Sequence, residues 1–225
     1  MGEPGKAYLA EFVGTFMLCF IGAGAIITNE LPGGSMGLVG IALAHGIVLG
    51  VIVSVFGHIS GAHVNPAVTV GLLVGGKIKG GRAVGYIVSQ LVGGIVAGVL
   101  LRAIYPVAVW SKVNLGTPGL GPQVSAGVGV LVELILTAFL VLAVYGTAVD
   151  KKGPKIGGFG IGLVLTFNIL MGGPLTGASV NPARTFGPAV ASGFWAAHWV
   201  YWVGPILGGI LAAVIYKVCS SENSQ

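Results

Sequence analysis

The chain has 225 residues, of which 55% are hydrophobic and only 8% charged, with a mean hydropathy of +0.96. So little charge cannot cover the surface of a water-soluble domain of this size, which excludes a soluble enzyme or binding module and puts the chain in lipid. The net charge of +5 comes with no basic patch interleaved with aromatics, which excludes nucleic-acid binding, and the two cysteines, Cys19 and Cys219, stand too far apart in the chain to suggest a disulfide or a metal centre.

In chain order, charge-poor stretches fall at about residues 8–28, 38–56, 83–101, 125–149, 156–171 and 198–218. Each is near the roughly 20 residues that cross a bilayer. The first has acid on both sides and no convincing cleavage site, so it is expected to be a retained helix and not a removed leader. Between the second and third stretches the chain reads Ser60-Gly61-Ala62-His63-Val64-Asn65-Pro66-Ala67, and between the fifth and sixth Thr176-Gly177-Ala178-Ser179-Val180-Asn181-Pro182-Ala183. Asn is a strong N-cap and Pro suits the first helical position, so Asn65-Pro66-Ala67 and Asn181-Pro182-Ala183 each start a helix. Only about ten apolar residues follow before Gly75-Gly76 or Ser192-Gly193, roughly half a membrane crossing. Two half-helices are therefore expected. Broken backbone persists at membrane depth only where protein buries it or where it lines a water-filled cavity, so the duplicated motif points to a cavity. A pair of ordinary loop-to-helix caps is the plainer alternative, disfavoured because the motifs belong to a longer repeat.

That repeat joins Glu11 and Thr15 of the first stretch to Glu133 and Thr137 of the fourth, and residues 86–95 (YIVSQLVGGI) to residues 201–210 (YWVGPILGGI). Each half, residues 6–104 and 125–218 of a single channel domain spanning 1–225, carries three spans and one half-helix. Three is odd, so the halves must enter the membrane in opposite senses. The predicted class is an all-α membrane protein: six transmembrane helices and two re-entrant half-helices in an inverted repeat, the half-helices meeting N-terminus to N-terminus. Lys6, Lys77, Lys79, Arg82, Lys151, Lys152, Lys155 and Lys217 fall on one side of this topology and only Arg102, Lys112 and Arg184 on the other, so both termini are expected in the cytoplasm.

No metal-ligand spacing, phosphate loop, dinucleotide motif or nucleophile arrangement is present, so neither an enzyme nor a cofactor is expected. The glycines read as helix-packing positions, notably Gly93, Gly94 and Gly98, and Gly204 and Gly208.

The double Asn-Pro-Ala, the run Ser60 to Thr69, the run Ala183-Arg184-Thr185-Phe186-Gly187-Pro188 and the two Glu-x-x-x-Thr signatures resemble the aquaporin (major intrinsic protein) family over roughly residues 6–218. Residues 58–64 and 198–205 are most similar to the plant tonoplast intrinsic proteins and to the animal aquaporins that also pass ammonia and peroxide. The resemblance implies the hourglass fold, a homotetramer in the lipid bilayer with one pore per subunit, and passive conduction of water and small neutral solutes without protons or ions.

Within that frame Asn65 and Asn181 offer amide donors to a passing water at the constriction. Arg184, three positions after Asn181, falls on the same helix face about one turn along the pore. An intramembrane arginine is a functional residue by default, against the alternative of one that snorkels to headgroups. By the family's spacing the filter is His45, Ile169, Ala178 and Arg184. For His45 the alternative is a helix-packing histidine. Glu11 and Glu133 are expected to hold irregular backbone and not to carry protons. His63 either lines a vestibule or braces its loop, and His58 and His198 are taken as structural.

A glycerol or polyol facilitator of the same fold is disfavoured because Thr185, where that branch carries Asp, follows the filter arginine. A coupled secondary transporter would need an ionisable group in the path, for which His45 is the candidate. A junctional role would need a distinctive outer loop, and residues 105–123 offer little. The sequence does not distinguish plasma, bacterial inner and vacuolar membranes, and Ser220, Ser221 and Ser224 are expected in a disordered tail.

Overall fold

The computed structural model describes residues 2–221. Nine helices follow in order among them: α1 Glu3–Asn29, α2 Gly37–Ser60, α3 Pro66–Val74, α4 Gly80–Ile104, α5 Val107–Trp110, α6 Ala126–Val144, α7 Gly157–Thr176, α8 Pro182–Ser192 and α9 Val200–Ser221. Six of them, α1, α2, α4, α6 (with the wider turn Tyr145–Val149 that extends it), α7 and α9, are long and apolar enough to cross a membrane. The protein is an integral membrane protein. Ser220 and Ser221 close α9 instead of lying in a loose tail, and Ser224 lies outside the described residues.

The spans extend beyond the apolar stretches for a local reason. The second and fifth stretches end near residues 56 and 171 by hydropathy, yet α2 continues to Ser60 and α7 to Thr176. Both stop at a glycine in the left-handed region, Gly61 (φ 88°) and Gly177 (φ 80°), whose N–H bonds back to Gly57 and Gly173. This is the usual glycine stop, and hydropathy does not register it. Only a few residues then separate each span from its half-helix.

The half-helices have 9 and 11 residues. Asn65 Oδ1 accepts from Ala67 N at 2.8 Å, and Asn181 Oδ1 accepts from Ala183 N at 3.0 Å and Arg184 N at 3.3 Å. The expected caps are therefore formed, with proline opening both helices.

Sidedness is inverted relative to a soluble protein. Val39, Leu43, Ile47, Val51, Val55 and Ile59, four apart along α2, are all exposed, whereas Glu11, Gln90, Glu133 and Asn168 are fully buried. An apolar stripe of that length would not survive in water and suits acyl chains. Inside, α1 packs on α4, α6 on α9 and α2 on α7, while each half-helix packs on the last span of the other half, α3 on α9 and α8 on α4. Glycines make that exchange possible. A Cβ on Gly71 would lie 2.8 Å from Gly209 O, one on Gly94 would lie 2.7 Å from Ala183 O, and one on Gly98 would lie 2.7 Å from Gly187 O. Without side chains the backbones touch. Gly93 meets Phe12 O in the same way, as do Gly204 with Val130 O and Gly208 with Leu134 O.

The segment after α4 is more ordered than its glycine and proline content suggests. After α5 the turn Ser111–Gly116 carries Asn114 and Leu115 in the left-handed region (φ 48° and 57°), and Leu115 is fully buried with Ala23, Ile27, Leu101 and Ala191. That anchor draws Gly116 into the protein.

Candidate functional site

The site begins with two buried carboxylates. Glu11 on α1 accepts from Ser60 Oγ (2.7 Å) and His63 N (2.9 Å) on one oxygen, and from Val64 N (2.7 Å) and Gln90 Nε2 (2.7 Å) on the other. Glu133 on α6 repeats the pattern with Thr176 Oγ1 (2.7 Å), Ser179 N (2.9 Å) and Val180 N (2.7 Å). Each carboxylate thus holds the loop that leads into a half-helix. Tyr86 and Tyr201 complete the frame by donating to Ser60 O (2.7 Å) and Thr176 O (2.8 Å).

These bonds hold a strained backbone. Ala62 and Val64, and likewise Ala178 and Val180, sit in the left-handed region (φ 48°, 42°, 44° and 47°), which disfavours residues with a Cβ and above all a β-branched one. Among the described residues no donor reaches the carbonyl oxygens of residues 61–63 or 177–179, and all six of these residues line one cavity. Buried carbonyls require a donor, so this row of acceptors fits water passing along it.

The two motifs are also tied to each other. Asn65 Nδ2 donates to Val180 O at 2.7 Å and Asn181 Nδ2 to Val64 O at 2.9 Å. An amide nitrogen carries two protons, so one proton of each stays available at the cavity that both asparagines line. The expectation of two donors is refined: each amide both locks the opposing loop and retains one donor.

Next comes the arginine. Arg184, 4% exposed, directs Nη1 to Gly116 O at 2.9 Å, and both Nε and Nη2 lie 3.3 Å from His45 Nε2. His45 Nδ1 is 2.8 Å from Ile41 O, and a carbonyl can only accept. Nδ1 therefore carries the proton and Nε2 is the acceptor for the arginine. The guanidinium is buried and held from two sides, which is not the placement of a side chain that snorkels to headgroups.

His45, Ala178 and Arg184 line the cavity together with Asn65 and Asn181. Ile169 is buried in the adjoining apolar cluster but is not part of the lining; the α7 wall is made by Leu165 and Ile161, one and two turns earlier on the same face. His63 lines the cavity, its Nδ1 lies 3.1 Å from Thr69 Oγ1 and its ring meets Tyr86 edge-on at 5.0 Å. His58 is exposed, and His198 packs on Trp195 and Phe186 and accepts from Trp202 Nε1 at 3.1 Å. The far end of the cavity is apolar: Val53, Val144, Ala148 and Ile161. Its volume open to the centre of a water-sized sphere is about 30 Å³. A single water needs roughly 10–15 Å³ by that measure, so the cavity has room for about two or three.

Six supporting residues were missed by sequence reasoning. Tyr86 and Tyr201 stand at matching places in the repeat, and Ser60 and Thr176 open the two motif runs, so alignment of the halves could have found them. Gly116 has no such signal, because only the left-handed turn and the buried Leu115 bring its carbonyl to Arg184. Gln90, which donates to Glu11 and to Thr69 Oγ1, has Pro205 as its counterpart and so breaks the symmetry.

Comparison with known proteins agrees with this geometry. A family model described as "Major intrinsic protein" matches residues 3–216. Similar relatives include Aquaporin TIP4-4 of Zea mays (47% identical, covering 94% of this chain and 85% of the relative) and Aquaporin TIP2-1 of Arabidopsis thaliana (44%, 94% and 86%). The solved structure of the aquaglyceroporin from Plasmodium falciparum superposes with a TM-score of 0.86 at 25% identity, covering 97% of this chain and 98% of that one. The chain belongs to the major intrinsic protein family.

Proposed function

We propose that the protein is a passive water channel that also passes ammonia and hydrogen peroxide and excludes protons and ions. The observation that carries this reading is the pair of asparagine amides, each with one proton left at a small cavity that both helix N-caps line. A water there accepts from both amides, and its own hydrogens are turned outward along the file, which interrupts proton relay. The positive ends of α3 and α8, with Arg184 one turn away, oppose cations, as in aquaporin-type pores generally.

His45, Ile169, Ala178 and Arg184 are proposed as the filter, with Ile169 as its apolar backing. Small neutral solutes can exchange hydrogen bonds with Asn65, Asn181 and Arg184. Glycerol must satisfy three hydroxyls beside apolar Leu165 and Ile161, and one left unpaired costs about 1–3 kcal/mol, enough to slow it roughly tenfold or more. A coupled transporter finds no support, since both ring nitrogens of His45 are committed to fixed partners.

The matched bonds of Glu11 and Glu133 support two inverted repeats, residues 6–104 and 125–218, within one channel domain. The homotetramer and the vacuolar membrane rest on similarity to the TIP-type relatives. The gathering of Lys77, Lys151, Lys152 and Lys217 at one end of the bundle supports termini on the cytoplasmic side.

Stopped-flow light scattering on proteoliposomes, with water, ammonia and glycerol gradients in parallel, tests the proposal. The expected order is water first, ammonia next and glycerol far behind, and H45F combined with I169H should leave water permeable while suppressing ammonia. Ammonia flux no higher than in empty liposomes would overturn the solute breadth, and water flux at the empty-liposome level would overturn the channel.

A further inference from the structure

A second, larger cavity lies away from the water path. It is an open crevice of about 980 Å³ between the end of α3 (Val74, Gly75, Gly76 and Lys77), the segment Val149–Gly153 and the last turns of α9. Lys77, Lys151, Lys152 and Lys217 line it, with Asp150 as the single carboxylate among the described residues.

Asp150 is already engaged. Its Oδ2 accepts from Tyr216 OH at 2.6 Å and its Oδ1 from Lys152 N at 2.8 Å, and among the described residues no lysine ammonium of the crevice lies within 4.0 Å of a carboxylate. Four cations are thus gathered around a carboxylate committed to holding the loop. Four like charges so placed repel one another, and an anion among them would relieve that repulsion.

The rim identifies the source of that anion. Val74 lines the crevice and is exposed, and on α9 Leu207, Leu211 and Val214 form an exposed apolar stripe that runs up to Lys217. All the elements that meet here do so at the ends of membrane spans or of a half-helix. A soluble phosphate would use the lysines alone, whereas a lipid uses the lysines and the stripe. Basic pockets at the ends of transmembrane helices are where anionic headgroups bind.

We propose that this crevice holds the headgroup of an anionic phospholipid, its phosphate among Lys77, Lys151, Lys152 and Lys217 and its acyl chains along α9. The inference needs only that this end of the bundle lies at a membrane surface, on whichever side. The site connects to the pore through a short path: Tyr216 stacks on Tyr145 at 5.1 Å, Tyr145 OH donates to Gly71 O of α3 at 2.9 Å, and Ala148 of the same turn lines the water cavity.

Native mass spectrometry of the full-length protein in detergent tests this, using dioctanoyl phosphatidic acid, dioctanoyl phosphatidylcholine and inorganic phosphate as separate probes. Phosphatidic acid should be retained in preference to phosphatidylcholine, and each of K77Q, K151Q, K152Q and K217Q should weaken its retention about fivefold. Equal retention of the two lipids would overturn the proposal, as would a quadruple variant that binds phosphatidic acid as the parent does. Inorganic phosphate binding as tightly as phosphatidic acid, in a lysine-dependent manner, would overturn the lipid assignment. Water flux of the same preparations keeps this outcome separate from the channel reading, because the four lysines lie outside the pore and their variants should conduct as the parent does.

Discussion

Arg184 and His45, on α8 and α2, meet at 3.3 Å through two guanidinium nitrogens and one imidazole acceptor, so each fixes the orientation of the other. A third constraint, the carbonyl of Gly116, holds the remaining arm of the guanidinium at 2.9 Å. The charge is therefore held stationary at the cavity that both residues line, as a flexible lysine would not be.

Removing that charge should relax exclusion. R184V deletes the donors to His45 and Gly116 and widens the passage, so glycerol flux is expected to rise several-fold while water flux persists. Liposome shrinkage in a glycerol gradient is the measurement. Unchanged glycerol exclusion would mean that Arg184 does not limit the path.

The carboxylate frames should be structural. E133Q keeps one acceptor oxygen and turns an NH2 toward the donors of the other, Val180 N if Oε2 is replaced, and each buried donor left unpaired costs about 1–3 kcal/mol. In E11Q whichever oxygen is replaced faces two donors, so its loss of thermal stability should be the larger of the two. Circular dichroism melting in detergent compares them. Variants that melt with the parent yet lose water flux would point to a role in conduction instead.

A cysteine placed in the path should report on it. Ala178 lines the cavity, Cys19 is buried against Ala183 O, and Cys219 lies on the crevice lining away from the pore. Water flux of the parent should resist mercuric ion, and A178C should become sensitive. Strong inhibition of the parent would show that a native thiol reaches the passage.

The loop at Asp150 should loosen only in strong acid. The Tyr216 hydroxyl, then the Lys152 backbone N–H, then the charges of Lys152 and Lys77 hold the Asp150 carboxyl below the usual carboxylate range. A depressed folded value means that the stabilisation is fully present above the ordinary carboxylate pKa and is lost as pH falls through the lower folded one. Hydrogen exchange of residues 150–155, corrected for intrinsic rates, should therefore be flat from neutral pH down to the ordinary carboxylate range and rise below it, and D150N should abolish that rise. A rise centred above the ordinary range would contradict the bond to Tyr216.

Much of this could be read from residues alone. Asn65-Pro66 and Asn181-Pro182 carry their own stereochemistry, so the half-helices follow from local rules, and the odd number of spans then inverts the second half. The role of Glu11 and Glu133 was legible because a buried carboxylate in each half must find donors. Gly116 was not, since its place depends on a left-handed turn and a buried Leu115 far from Arg184 in sequence. The asparagine cross-ties were hidden for a similar reason: they form only once the two loops face each other, a relation between halves and not within one. Ile169 comes from spacing carried over from the family, while Leu165 and Ile161, one and two turns earlier on α7, line the cavity and had no signal in the sequence.

The central claim is conduction of water with exclusion of protons. The most direct test records both on the same proteoliposomes, shrinkage by light scattering after an osmotic step and internal pH by an entrapped dye after a pH step with valinomycin and potassium clamping the potential. The account predicts water flux well above that of empty liposomes and a proton flux indistinguishable from theirs. A proton flux that rises with protein content alongside the water flux would contradict it.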